Sequence, residues 1–293
     1  MQRPELVWED SVPDLRNPVM VLALTGLFDV AGVATTAVGH LIESRSVQTI
    51  ATIDPDGFYD FTQERPTVWL DEMGNRRISW PENRADAVRY PGAPHDLVIV
   101  SGVEPHVRWR TFAAHLIEIA RTCGCEVVVT LGASAEAVPH TRIPTVVGSS
   151  TDEGLARSLG LSRPRYQGPT GVVGVLQQML AEQQMPAVSL RVPVPHYLTN
   201  AEHPQSTAAL LRHLQHVVGI MTNHSAFDDD IARWRRLHDA AVAADPEATA
   251  FVRMLEREFD LRAEAGLPSG DELADAFEEF LRERRDSSPT EEE

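Results

Sequence analysis

The sequence predicts an α/β fold: a mostly parallel sheet covered by helices on both faces, followed by a helical C-terminal subdomain. Three observations predict it. Short, continuous apolar runs of strand type recur through the first 222 residues, separated by amphipathic stretches. Beyond residue 222 these runs stop and the pattern is helical throughout. The charge changes at the same place: 20 of the 43 acidic residues but only nine of the 26 arginines lie between Asn223 and Glu293, so 11 of the 17 net negative charges fall there. The expected organisation is an α/β core over residues 1–222, a helical subdomain over 223–285, and a disordered acidic tail over 286–293.

Element by element, Val19–Leu24 (VMVLAL) is the first buried-strand run, followed by a Gly-containing turn and a helix near Val33–Glu43. Gln48–Ile53 is a second strand. Val68–Leu70 and Arg77–Trp80 flank Asp71-Glu72-Met73-Gly74-Asn75 and read as a hairpin with a Gly-bearing turn. Asp96–Val100 is a strand, and Arg108–Thr122 is amphipathic, with Trp109, Phe112, Leu116 and Ala120 on one stripe. Glu126–Leu131 is a further strand, Gly171–Gln184 a helix, Ala187–Val192 a strand and Gln205–Ile220 a helix. In the C-terminal part, Asp228–Ala243 opens on three aspartates that suit a helix N-terminus. Glu247–Ala265 follows an Asp245-Pro246 start signal, and Ser269–Arg284 is the last predicted helix.

Composition narrows the chemistry. The 293 residues contain no lysine, so all 26 cations are arginines. A Schiff-base lysine is impossible, and so is the Gly-Lys-Ser/Thr of a P-loop. A net charge of −17 argues against a nucleic-acid partner. The two cysteines, Cys123 and Cys125, make neither a disulfide framework nor a structural zinc site. No apolar stretch reaches membrane-spanning length and the first residues carry four acids, so a cytoplasmic protein is expected. His213 and His216 are the one tempting ligand spacing, but no carboxylate or thiol in sequence completes a triad, and no metal is expected.

Ligands of open α/β sheets bind at the carboxyl ends of strands, so the loops there hold the candidates. The first loop offers Thr25, Gly26 and Asp29; Asp29 is placed either to meet a ligand or to cap the next helix. Glu104, before a proline, suits a general base or an anchor for a backbone amide, Arg108 or Arg110. Thr170 precedes a predicted helix whose free amides suit an anion, while Gly171 and Gly174 also suit close packing. His196 at a strand end is either an acid–base group or a hydrogen-bonded structural histidine. Ser134 lacks the nucleophile-elbow context.

Four strand-end phrases, TGLFDVAG (Thr25–Gly32), SGVEPHVRW (Ser101–Trp109), GPTGVVGVL (Gly168–Leu176) and PHYL (Pro195–Leu198), occur in that order. Together with DELADAFEEFLR (Asp271–Arg282) they resemble the proteasome assembly chaperone 2 family, in its actinobacterial branch. The resemblance implies a three-layer α/β/α core of the phosphorylase/hydrolase-like kind and a homo-oligomer, with a trimer favoured. It also implies a non-catalytic, protein-binding role in assembly, with no cofactor. It supplies no established catalytic residues; what it transfers is a set of strand-end positions, Asp29, Glu104, Thr170 and His196, that would line one pocket. The rival expectation is a small-molecule binder or a nucleoside-phosphorylase/hydrolase-like enzyme, with Glu104 and His196 converging at the carboxyl edge of the sheet. An acidic helical appendage would suit a basic partner surface.

Overall fold

The computed structural model describes residues 4–43 and 45–265. In chain order the elements are β1 (Leu6–Trp8), β2 (Val19–Thr25), α1 (Val33–Ile42), β3 (Val47–Ile53), β4 (Thr67–Leu70), β5 (Arg76–Ser79), β6 (Asn83–Val88) and β7 (Leu97–Val103). Then come α2 (Trp109–Thr122), β8 (Val127–Glu136), β9 (Val147–Ser150), α3 (Glu153–Ser158), α4 (Val172–Glu182), β10 (Ala187–Pro195), α5 (Pro204–Val218), α6 (Asp228–Ala243) and α7 (Pro246–Ala265). The predicted helix Ser269–Arg284 and the tail 286–293 lie outside the described residues.

The central sheet has the order β1-β3-β6-β7-β2-β8-β10-β9. Its middle four strands, β7, β2, β8 and β10, run parallel. Antiparallel strands flank them on both sides. The β2 strand shows why the apolar runs are continuous. Val19, Val21 and Ala23 face a core shared with α1 and α5, while Met20, Leu22 and Leu24 face a second core with α2 and α4. With both faces of a strand buried, no position is left for a polar residue. The result is three layers, two helices on each side of one sheet.

Four elements carry little sequence signal. β1, β9 and α3 are only three, four and six residues long. β6 (NRADAV) offers no apolar run, yet its Asp86 is fully buried. Its carboxylate accepts from Thr49 Oγ1 at 2.9 Å and Arg84 Nε at 2.8 Å, which satisfies it inside the sheet.

The chain divides into two compact units that meet between His238 and Asp239, within α6. In the second unit α7 starts as its sequence predicts: Pro246 occupies the first turn and Asp245 accepts from the Glu247 amide at 2.8 Å. No helix among the described residues is long and apolar enough to cross a membrane.

Candidate functional site

The parallel strands β7, β2, β8 and β10 end at one edge of the sheet, where the candidate residues sit. Their polar groups are already engaged. The Glu104 amide donates to the Thr25 carbonyl at 2.9 Å. The Glu104 carboxylate accepts the Leu27 amide at 3.1 Å on Oε2 and the Val172 amide at 3.4 Å on Oε1. Gly171, at the N-cap of α4, has no side chain to cap that helix, so Glu104 caps it from another segment. A Cβ on Gly26 would stand 2.6 Å from Glu104 Oε2, and one on Gly171 would stand 2.9 Å from Oε1. Glycine is required at both positions because the carboxylate occupies that space. Thr170 folds its hydroxyl over Gly174, filling the place of a side chain there. Three of the four phrases therefore meet in one knot, tied by Glu104.

Asp29 is a buried cap. Its Oδ1 accepts from the Ala34 amide at 2.7 Å and the Thr35 amide at 3.2 Å, and Oδ2 accepts from Thr35 Oγ1 at 2.5 Å. Burial pushes the carboxyl above its usual range, and the Thr35 and Ala34 bonds oppose that rise. Arg108, one of the expected partners of Glu104, pairs instead with Glu5 at 2.5 Å. Arg108 holds Glu5 below the usual carboxylate range.

His196 stands apart from this knot. Its Nδ1 donates to the Glu136 carbonyl at 3.1 Å, at the end of β8. β2 and β8 lie between β7 and β10, so Glu104 and His196 follow strands three spacings apart, about 14 Å at roughly 4.8 Å each. The fold brings Thr25, Gly26, Asp29, Glu104 and Thr170 together and leaves His196 outside. Ser134 hydrogen bonds to Glu136 Oε1 at 2.7 Å. Burial pushes the Cys123 thiol up to about 11 and raises Cys125 further. Among the described residues no cluster of three or more His, Cys, Asp or Glu side chains is placed to hold a metal ion.

The surface contrasts with that edge in one place. The β4–β5 hairpin forms a two-stranded sheet of its own, and every residue of both strands is exposed. The register pairs Val68 with Ile78 and Leu70 with Arg76 on one face, and Trp69 with Arg77 on the other. Trp69 is 51%, Leu70 67% and Met73 82% exposed. At the turn, Asp71 Oδ1 accepts the Met73 amide at 3.1 Å and the Asn75 amide at 2.8 Å, and Gly74 adopts φ +80°. At the hairpin base, Trp80 packs edge-on against Phe61 at 5.0 Å. Beside it opens a cleft of about 570 Å³ whose lining includes Val7, Ile53, Trp80, Asp54, Asp56 and Glu82. The hairpin itself is legible in sequence. Its exposure is not, because a run such as Val68-Trp69-Leu70 reads like any core strand.

A second cluster has no motif. His203 caps α5, its Nδ1 accepting the Ser206 amide at 3.2 Å. Its ring lies 4.3 Å from that of Trp234. Burial, with smaller contributions from His238 and His140, lowers the His203 pKa to about 4.

The family model of the PAC2 family matches residues 23–242. The chain belongs to the PAC2 family. A PAC2 family protein of Streptomyces avermitilis is 41% identical, with a TM-score of 0.75, covering 80% of this chain and 99% of its own. A proteasome-assembly chaperone homologue of Mycobacterium tuberculosis is 35% identical, with a TM-score of 0.73 and coverage of 80% and 99%. An archaeal proteasome activator of Pyrococcus furiosus, 17% identical with a TM-score of 0.64 over 80% of this chain and 97% of its own, shares the PAC2 fold. No curated protein matches the chain. Three of the four strand-end phrases that carry the resemblance, all but Pro195–Leu198, are the segments that Glu104 ties together.

Proposed function

We propose that this PAC2 protein is a non-catalytic assembly factor in the cytoplasm that binds other protein chains, with proteasome subunits as its clients, and that it works as a homo-oligomer. The observation that carries the reading is the β4–β5 hairpin, which holds Val68, Trp69, Leu70, Met73 and Ile78 in solvent. Apolar groups clustered on a projecting element are the usual mark of a protein contact. The carboxyl edge supports the same reading. Asp29 accepts two backbone amides and the Thr35 hydroxyl, and Glu104 accepts two backbone amides, so both carboxylates serve the architecture of the strand ends. The name of the M. tuberculosis relative points to the proteasome as the client. A trimer is the oligomer the family resemblance implies.

The test is reconstitution with purified proteasome α subunits from the same cell. The reading predicts a complex that elutes with the α subunits and an altered rate of α-ring formation. Absence of any complex with α or β subunits at tens of micromolar, with ring formation unchanged, contradicts it.

A further inference from the structure

The hairpin and the cleft at its base are complementary, and the complement cannot be made within one chain. The cleft is lined by the apolar side chains of Val7, Trp80 and the hairpin's own Ile78 and by three carboxylates, Asp54, Asp56 and Glu82, with no arginine in its lining. The outer end of the hairpin carries the opposite character. Leu70 and Met73 are exposed, and Arg76, opposite Leu70 on the same face, has no carboxylate within ion-pair distance among the described residues. Its neighbour Arg77 is held by Asp71 at 3.0 Å, so Arg76 is the cation left to act outward. The paired strands hold the tip away from its own cleft: Gly74 is five residues from Ser79, about 16 Å at roughly 3.3 Å per residue.

From this we infer that the hairpin tip of one copy docks in the acidic cleft of a second copy, with Met73 and Leu70 against Val7 and Trp80 and Arg76 against Asp56 and Glu82. The inference rests on the reading of this surface as protein-binding and names its occupant. The contact is head-to-tail: each copy gives a hairpin and receives one. Repetition of such a contact closes into a ring when the rotation allows it. An acidic cleft facing a cationic, apolar tip also disfavours tip-to-tip pairing, which would set Arg76 near Arg76.

Cysteine cross-linking tests it, since a chain without lysine gives amine-directed reagents almost nothing to join. The native thiols are half-buried or buried, which keeps the background low. Met73→Cys and Asp56→Cys are made as separate proteins, mixed, and oxidised. Docking predicts a disulfide-linked two-chain species in the mixture and little in either protein alone. A strong cross-link in Met73→Cys alone, showing tip-to-tip pairing, overturns the proposal. Sedimentation velocity of the unmodified chain provides the companion measurement. Docking predicts a multiple of the single-chain mass, at least a tenfold weaker self-association for Arg76→Glu, and recovery when Arg76→Glu is mixed with Asp56→Arg. A single-chain mass at 50 µM overturns it. If that chain still binds proteasome α subunits, the head-to-tail contact is wrong while the assembly role stands.

Discussion

The carboxyl edge of the sheet and the β4–β5 hairpin handle their side chains in opposite ways. At the edge, the carboxylates of the buried Asp29 and the half-buried Glu104 accept backbone amides of their own chain, Asp29 the Thr35 hydroxyl as well. On the hairpin, Trp69, Leu70 and Met73 are apolar groups left half to four-fifths exposed. A satisfied carboxylate organises its own chain; an uncovered apolar side chain awaits another. In this PAC2 protein the strand ends where an α/β enzyme keeps its chemistry serve the architecture, and the proposed protein-binding surface is an outlying hairpin.

Removing groups from either region sharpens the contrast. The largest effect is expected from Asp29→Ala, which strips the start of α1 of three hydrogen bonds and leaves two amides without partners. Thermal or urea unfolding should show a loss of about 3 kcal/mol. Glu104→Ala frees the Leu27 and Val172 amides and should cost about 2 kcal/mol, while self-association of the folded fraction persists. If either variant keeps full stability, the edge is not the structural knot described here.

Acid titration probes His203. Its folded pKa, about 4, lies below its unfolded value of 6.5, so the unfolded chain takes up the proton more readily. The stability it contributes is complete above pH 6.5 and is lost as pH falls toward 4, at about 1 kcal/mol for the first unit. Denaturation curves at pH 6.5 and 5.5 should show this loss. His203→Asn, which keeps an N-cap acceptor but does not titrate, should reduce it. The smallest effect on stability is expected from Trp69→Ser and Leu70→Ser, within about 0.5 kcal/mol of the parent. A loss of several kcal/mol on the hairpin would mean that these side chains belong to a core, and the contrast would fail.

The sequence readings succeed where local chemistry decides. The unbroken apolar run of Val19 through Leu24 announces a strand buried on both faces, and Asp245-Pro246 announces a helix start. The TGLFDVAG and SGVEPHVRW phrases announce strand ends, but not their purpose. That purpose depends on α4 arriving beside Glu104, a contact between residues 68 positions apart. The distance between Glu104 and His196 is hidden for the same reason: strand order, not spacing in sequence, puts β2 and β8 between them. The β6 strand escapes notice because Asp86 satisfies its carboxylate within the sheet, through Thr49 and Arg84, rather than by facing water.

Hydrogen exchange as a function of protein concentration tests the central claim most directly, because it reads both regions in one experiment. The account predicts that raising the concentration from well below to well above the association midpoint slows exchange in residues 67–80 and in the cleft around residues 52–56. It predicts unchanged exchange in residues 25–32, 101–109 and 168–176. Protection that appears at those strand ends, with the hairpin still exchanging freely, would contradict it.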